Sequence, residues 1–249
     1  MDSLIESLKL WYGNLKSDFI LNFVDGGRWK FLTSGLKNTL IITFFAVLIG
    51  IAVGALVAIV RSSYDKNHSE MRRGIGRAVL VVFSGVCQVY LTVIRGTPVV
   101  VQLMIMYYII FATSRNSLLV AVIAFGINSG AYVAEIIRSG IMSVDQGQFE
   151  AGRSLGFDYK STMWYVIIPQ AFKNVLPALA NEFIVLLKET SVAGYVTIRD
   201  LTMGGNIIRA ATYSAFMPLI AVALIYLVMV IFFTKLVGVL ERRLRKSER

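Results

Sequence analysis

The chain has 249 residues, 56% of them hydrophobic, and a mean hydropathy of +0.68, which is too apolar for an ordinary soluble domain. Its formal net charge of +10 would suit a nucleic-acid-binding protein. The Lys and Arg residues, however, cluster beside long apolar runs, as the positive-inside rule describes for membrane proteins. The single cysteine, Cys87, excludes an intrachain disulfide. The first residues lack a basic stretch followed by an apolar core, so we expect no cleaved signal peptide.

Residues 1–34 are mixed in polarity and are predicted to form an N-terminal amphipathic or peripheral segment. Five apolar residues recur there at helical spacing with charges between them: Leu4, Leu8, Trp11, Leu15 and Phe19. Such a helix either lies on the membrane surface or packs against a helix bundle, and the sequence leaves both possibilities open. Asp25, Gly26 and Gly27 are predicted to break it.

Five later stretches are predicted to cross the membrane, because a hydrocarbon core of about 30 Å requires roughly 20 residues of helix. The predicted crossings are 40–60, 96–113, 116–137, 173–198 and 210–234. A helix at the cytoplasmic surface, 78–94, is predicted to precede the second crossing. The two are separated by a break at Arg95-Gly96-Thr97-Pro98, because Pro98 lacks an amide donor. The stretch 199–209 is predicted to be a polar connection.

Gly50 and Gly54 form a GxxxG step in the first crossing. The step either permits close helix packing or reflects only the high glycine content of membrane helices.

Basic residues predict the orientation of these crossings. The loops 61–77 and 138–173 and the tail after Lys235 carry most of the Lys and Arg and are predicted to be cytoplasmic. Five crossings then place the N-terminus outside and a basic tail, 244–249, in the cytoplasm.

Charged residues inside the predicted crossings indicate a transport path. A carboxylate at membrane depth costs on the order of 2.5–3.5 kcal/mol, so such groups usually face a bundle interior. Glu135 lies in the third crossing, and Glu182, Lys188 and Glu189 lie in the fourth, which we therefore expect to be surrounded by protein. The alternatives are local pairs, Glu135 with Arg138 and Glu189 with Lys188.

A polar island at 148–170 is predicted to form two short helices joined by a glycine turn. Glu150, Ala151 and Gly152 are expected to start the first helix, and Gly156 is expected to stop it. Asp158 then caps a second helix that ends at Ile168 before Pro169. Four hydrophobic residues are expected to be exposed there: Leu155, Phe157, Trp164 and Tyr165.

The spacing of this island resembles the EAA loop of the membrane subunits of bacterial ABC importers. Glu150, Ala151, Gly156 and Pro169 match that pattern, whereas Gly152, Val166 and Ile168 replace the usual Ala, Ile and Leu. Further stretches over roughly 37–243 are similar to the polar amino acid permease branch. They are Arg95-Gly96-Thr97-Pro98 with Gln102, Asn128 to Tyr132 with Glu135, Pro169-Gln170-Ala171, Asn181-Glu182-Phe183 and Lys188 to Ser191.

The resemblance implies an all-α integral membrane protein, a type I importer permease with five transmembrane helices and a MetI-like core at 35–243. It implies a second permease subunit, separate ATPase subunits, an extracytoplasmic binding protein and an amino acid substrate, in the bacterial cytoplasmic membrane. The residues expected to couple the permease to the ATPase are Glu150, Ala151, Gly152, Leu155, Gly156, Phe157 and Pro169.

The chain lacks a phosphate-binding loop, so we expect no ATP site in it and assign ATP and Mg²⁺ to the partner ATPase. The sequence shows no Cys/His cluster for a metal; the lone His68 is expected to be solvated. It also shows no catalytic set, so we do not expect an enzyme. The alternatives are an ion-driven secondary transporter or channel, and an assembly subunit without a transport path.

A free amino acid carries an ammonium and a carboxylate, and a dry pathway must offer partners for both. The candidate substrate-binding residues are Asn128, Ser129, Glu135, Lys188, Glu189 and Ser191. The carboxylates suit the ammonium, whereas the amide, hydroxyls and nearby backbone suit the substrate carboxylate.

The predicted topology places residue 161 in the cytoplasm. In a Cys87→Ser background, which contains no other thiol, Ser161→Cys should resist an impermeant maleimide added outside intact cells. It should react once the membrane is opened. Labelling of Ser161→Cys from outside would contradict this topology.

Overall fold

The computed structural model describes residues 13–67 and 74–246, and within them it contains helices and no strand. Leu4, Leu8, Trp11 and His68 lie outside these residues. Helix α1 covers 13–24 and ends in a π-helical turn, Ile20–Val24. The remaining helices are α2 (Trp29–Asn67), α3 (Ile75–Gly96), α4 (Val99–Ile105), α5 (Ser117–Met142), α6 (Gln146–Ser154), α7 (Tyr159–Thr162), α8 (Ile168–Glu189), α9 (Leu201–Thr212) and α10 (Phe216–Lys246). Two π-helical turns, Met106–Ile110 and Met163–Ile167, extend α4 and α7, and a 3-10 segment, Thr190–Val196, follows α8.

Four of the described helices, α2, α3, α5 and α10, are long and apolar enough to cross a membrane. This differs from the sequence prediction, which put the second crossing at 96–113. The helix after the break is apolar but short, Val99–Ile110, whereas α3 has the length of a crossing. Helix α8 contains four charged residues and is not among the four. The count of five crossings therefore stays a prediction.

Two helix breaks predicted from sequence, one between α1 and α2 and one between α3 and α4, are present in the backbone. Gly26 and Gly27 adopt left-handed φ values of 62° and 64°, which end α1 before α2 begins. Thr97 and Pro98 are extended between α3 and α4, because the residue before a proline is disfavoured in the helical region.

The described part of the N-terminal segment packs against the bundle. Phe23 is buried in a cluster with residues of α2, α9 and α10. Asn22 is fully buried, and its Oδ1 accepts a hydrogen bond from Thr212 Oγ1 at 2.8 Å. Of the two possibilities left open by the sequence, bundle packing therefore describes the end of α1.

Helices α2 and α5 run in the same direction and pack at very short range. A methyl group placed on Gly50 would lie 2.9 Å from Ser129 Oγ, and one on Gly54 would lie 2.6 Å from Val133 Cγ1. The GxxxG step is thus a packing device in this molecule, because only hydrogen side chains allow this approach.

The chain between 199 and 215 contains helix α9, Leu201–Thr212, whereas the sequence analysis predicted a polar connection at 199–209 and a crossing from 210. Asp200 caps α9 by accepting from the Thr202 and Met203 amides at 2.8 and 3.2 Å. The glycines that suggested a loop instead allow close contacts, Gly204 with Phe31 and Gly205 with Val222. The following apolar helix begins only at Phe216, after a left-handed residue at Tyr213.

Helix α8 starts earlier than the predicted crossing at 173–198 and ends at Glu189. Pro169 lies in its first turn, where an amide donor is not needed. Pro177 lies inside the helix.

We expect Gly54→Ala to destabilise the protein by about 1–3 kcal/mol, because the methyl group would overlap Val133 and the backbone of Ala134. The cost of this overlap exceeds the roughly 0.5–1 kcal/mol by which alanine stabilises a helix relative to glycine. Gly238→Ala is the matched control, since nothing lies within 4 Å of the added group. Thermal unfolding in detergent should separate the two variants, and equal stability would contradict the packing.

Candidate functional site

The sequence-predicted site residues fall into two regions that are joined by the same pair of helices. Helices α5 and α8 run antiparallel, as three contacts along them indicate: Ser129 with Glu182, Gly140 with Val175, and Ser143 with Asn174. Between them in sequence lies the short-helix pair α6 and α7.

The interior region is centred on a buried carboxylate. Glu182 on α8 is 8% exposed, and its Oε1 accepts a hydrogen bond from the fully buried Ser129 Oγ at 2.8 Å. Ser129 also faces Gly50, so α2, α5 and α8 meet at this point. A carboxylate so placed is costly unless hydrogen-bonded, and one neutral hydroxyl satisfies it only in part.

Asn128 extends this polar set toward α4. Its Nδ2 donates to Gln102 Oε1 at 2.9 Å, and Gln102 Nε2 donates in turn to the Ile94 and Thr97 carbonyls at 2.7 and 3.0 Å. Asn128 Oδ1 is buried and has no hydrogen-bond partner within the described residues. The interior therefore holds two acceptors, the Asn128 amide oxygen and the Glu182 carboxylate, that can receive a donor such as an ammonium group.

The other predicted substrate residues lie away from the Ser129–Glu182 contact, toward both ends of the α5–α8 pair. Glu135 is six residues along α5 from Ser129, whereas Glu189 is seven residues along α8 from Glu182 on the opposite side. Because the helices are antiparallel, Glu135 and Glu189 are separated by on the order of 20 Å along the bundle. Glu189 and Ser191 are half-buried and Lys188 is exposed. The structure thus groups Asn128 with Ser129 but does not gather all six residues.

Glu135 has the local partner that the sequence analysis considered as its alternative. Arg138 donates to both of its oxygens, at 2.8 and 3.4 Å, and also reaches Asp65 at 3.3 Å. Arg95 lies 3.9 Å from Glu135. Glu135 therefore belongs to an ion-pair network between α2, α3 and α5.

The short-helix pair has the predicted form, with an earlier start. Asp145 caps α6 through its Oδ1 and the Gly147 amide at 2.6 Å, so Glu150 and Ala151 lie inside the helix rather than at its beginning. Gly152 is buried against Thr162 of α7. Gly156 adopts a left-handed φ of 82° and ends the helix, as predicted.

Asp158 caps α7, as predicted, by accepting from the Ser161 amide at 2.8 Å. Hydrogen bonds from Ser161 hold the pKa of the Asp158 carboxyl below its usual range. The stabilising contribution of this cap is therefore present above the pKa of a free Asp and is lost only as pH falls through the lowered value.

The pair exposes apolar side chains although its base is buried. Leu155, Trp164 and Tyr165 are 77%, 67% and 70% exposed, and Phe157 and Pro169 are also exposed. Ile167 is fully buried against Ile141, Val144 and Ala171. Exposed aromatic and aliphatic groups on a rigid base are typical of a protein interaction surface.

Comparison with known proteins identifies the family. Residues 75–246 match the model for the binding-protein-dependent transport system inner membrane component. The chain belongs to this family. It is 35% identical over 221 residues to the arginine transport system permease protein ArtQ of Bacillus subtilis (strain 168), covering 88% of this chain and 94% of that protein.

Solved structures that resemble the chain include two ABC transporters. A crystal structure of an amino acid ABC transporter with histidines matches with a TM-score of 0.77 and 43% identity, over 89% of this chain and 98% of that chain. The MetNI methionine ABC transporter, in inward-facing conformations, matches with a TM-score of 0.73 over 88% and 98%. Its identity of 18% makes this a likeness of fold, which confirms the all-α, MetI-like prediction.

Sequence reasoning did not include Glu182 and Gln102 in the substrate site. Glu182 was recognised as a charge within a predicted crossing, and Gln102 was recognised as part of a motif. Glu182 and Glu189 are seven positions apart, almost two helical turns, so spacing alone puts both on similar faces. The contact of Glu182 with Ser129 depends on the packing of α8 on α5, and the contact of Gln102 with Asn128 depends on the packing of α4 on α5.

We expect Ser129→Ala to destabilise the protein by about 1–3 kcal/mol, because it leaves a buried acceptor without its donor. In a double-mutant cycle with Glu182→Met, which removes the acceptor, the coupling should be about 0.5–3 kcal/mol. Ser139→Ala, at an exposed position on the same helix, is the control. Additive effects of Ser129→Ala and Glu182→Met on thermal unfolding would contradict the contact.

Proposed function

We propose that the chain is the permease subunit of an ABC importer that moves polar amino acids across the bacterial cytoplasmic membrane. The observation that carries this proposal is that one antiparallel helix pair, α5 and α8, holds buried polar groups at its middle and an exposed apolar helix pair at its end. The buried polar groups offer a path for a polar solute, and the same two helices connect this path to a surface that can bind an ATPase subunit. The arginine permease and the histidine-containing amino acid transporter support the substrate class.

The helices α6 and α7 dock into a groove on an ATPase subunit. Leu155, Phe157, Trp164 and Tyr165 supply the apolar contact, while Gly156 gives the sharp turn between the helices. Closure of the ATPase dimer on ATP displaces this pair. Because the pair is continuous with α5 and α8 through a buried base, the displacement changes how the two long helices meet.

The substrate passes between α5 and α8 along the six residues predicted from sequence, with Glu182 added as the central carboxylate. Asn128, Ser129 and Glu182 form the middle of the path. The half-buried Glu189 and Ser191 and the exposed Lys188 lie on one side of it, and Glu135 lies on the other. Carboxylates receive the ammonium, and hydroxyl and amide groups receive the substrate carboxylate, so neither charge crosses unpartnered.

The assembly contains a second permease subunit, an ATPase that holds ATP and Mg²⁺, and an extracytoplasmic binding protein. This chain itself is not an enzyme. The loops 61–77 and 138–173 and the tail 244–249 face the cytoplasm, and the N-terminus lies outside.

Reconstitution tests the proposal directly. Proteoliposomes with the permease, the ATPase and the binding protein should accumulate a polar amino acid only when ATP is supplied. Uptake that runs on an ion gradient without ATP would instead identify a secondary transporter.

Gly156→Asp should abolish ATP-driven uptake while the permease still inserts. A side chain at this φ costs about 1–2 kcal/mol, and the charge would sit among the docking contacts. Ser154→Asp is the matched control, because it adds the same charge at an exposed helical position two residues away. Co-purification with the ATPase and uptake are measured for both variants, and normal uptake by Gly156→Asp would refute this docking surface.

A further inference from the structure

A cavity of about 870 Å³ opens between α2, α3 and α5, apart from the Ser129–Glu182 contact. Its charged and aromatic lining comprises Arg61, Asp65, Arg95, Tyr132, Glu135 and Arg138. Asp65 and Arg138 adjoin the loops proposed to be cytoplasmic, so the cavity lies toward that end of the bundle.

The three guanidinium groups of this cavity differ in how many of their N–H donors already have a partner. Arg138 bonds to Glu135 at 2.8 Å and to Asp65 at 3.3 Å, which engages both carboxylates. Arg61 donates to Ser84 Oγ at 2.9 Å and lies 3.9 Å from Asp65. Arg95 makes one loose ion pair, at 3.9 Å, and its side chain is 46% exposed. Its planar fork of N–H groups therefore retains donors that can bind a carboxylate in a bidentate manner.

The walls beside Arg95 differ in chemistry. On α3, Gln88, Thr92 and Arg95 lie four and three residues apart and so share one helical face, and all three line the cavity. On α5, Tyr132 places its ring 5.8 Å from the Arg95 guanidinium carbon, and Glu135 follows one turn later. Donors for an anion thus stand next to an acceptor for a cation.

This arrangement matches a solute that carries both charges on neighbouring atoms. Arg95 has donors left for an anionic group, and the Glu135 carboxylate, which stays 34% exposed beside Arg138, can still accept from a cationic group. A purely anionic or purely cationic solute would use only one of these two groups. The head of a free amino acid satisfies both, with its carboxylate toward Arg95 and Thr92 and its ammonium toward Glu135. The volume leaves room for the side chain of the amino acid.

We propose that this cavity is a cytoplasm-facing binding site for the zwitterionic head of free amino acids, with Arg95 and Thr92 as carboxylate ligands and Glu135 as ammonium ligand. The inference rests on the proposed import function and adds a second site, which the released product occupies. Because only the shared head is recognised, L-alanine, L-glutamine and L-arginine should bind with similar affinity.

Binding to the complete permease–ATPase complex in lipid nanodiscs, without the binding protein, tests this site. Equilibrium dialysis with radiolabelled L-alanine should show binding that Arg95→Gln weakens by roughly tenfold or more, since a charged partner is lost. Thr92→Val, which keeps the shape of the exposed side chain, should weaken binding less. L-Alaninamide, which lacks the carboxylate, should bind poorly to the parent and be unaffected by either change. Arg115→Gln, at an exposed position before α5, is the control.

Unchanged L-alanine binding by both Arg95→Gln and Thr92→Val would overturn the site, as would equal binding of L-alanine and L-alaninamide. Thermal unfolding of each variant identifies any loss of L-alanine binding that comes from misfolding. If Arg95→Gln is misfolded, L-alanine binding by Thr92→Val decides whether the site exists. ATP-driven uptake by the parent complex is measured separately. If the parent complex takes up amino acid with ATP but L-alanine binding does not depend on Arg95, only this site is refuted. If the parent complex shows no uptake with ATP, the proposed function is refuted.

Discussion

The hydrogen bond between Ser129 and Glu182 is the contact on which the arrangement of this bundle depends. A carboxylate inside an apolar bundle is expensive unless a donor reaches it, and the donor must come from a neighbouring helix at short range. Ser129 is small, and Gly50 opposite it has no side chain, so α2 can approach α5 without displacing the hydroxyl. Close packing of α2 on α5 and the antiparallel pairing of α5 with α8 are thus requirements of the same buried polar group.

In the proposed function, the same two helices also transmit the movement of the docked ATPase. Helix α5 leads into α6, and α7 leads into α8, so the exposed turn at Gly156 is anchored at both ends to the bundle core. Ile167 and Ala171, buried against Ile141, make that base rigid. We propose that a push on the exposed Leu155 and Trp164 is carried to the helices that bear Ser129 and Glu182 rather than absorbed by a loop. On this proposal, docking and solute passage are mechanically connected over a short stretch of chain.

Much of the fold was predictable because apolar length and glycine or proline position act locally. The apolar helix interiors, the break at Thr97 and Pro98, and the caps at Gly156 and Asp158 all followed from such rules. Helix α9 was missed because its glycines serve contacts with distant residues such as Phe31, which no local rule reveals. The charges of α5 and α8 were identified from sequence, and the pair of Glu135 with Arg138 was considered because the two lie three residues apart on one helix. The pair of Glu182 with Ser129 was not predicted, because it depends on helix directions that only the packing defines.

The central claim is that the buried polar groups between α5 and α8 lie on the path of the solute. ATP-driven uptake by a reconstituted complex carrying Glu182→Gln tests it most directly, because glutamine keeps the shape and an acceptor for Ser129 but removes the charge. The ion pair between Glu135 and Arg138 is left intact, and Glu241→Gln on α10 serves as the control. The account predicts that Glu182→Gln loses uptake by roughly tenfold or more while ATPase association and basal ATP hydrolysis persist, and that Glu241→Gln transports like the parent. Parent-like uptake by Glu182→Gln would contradict the account.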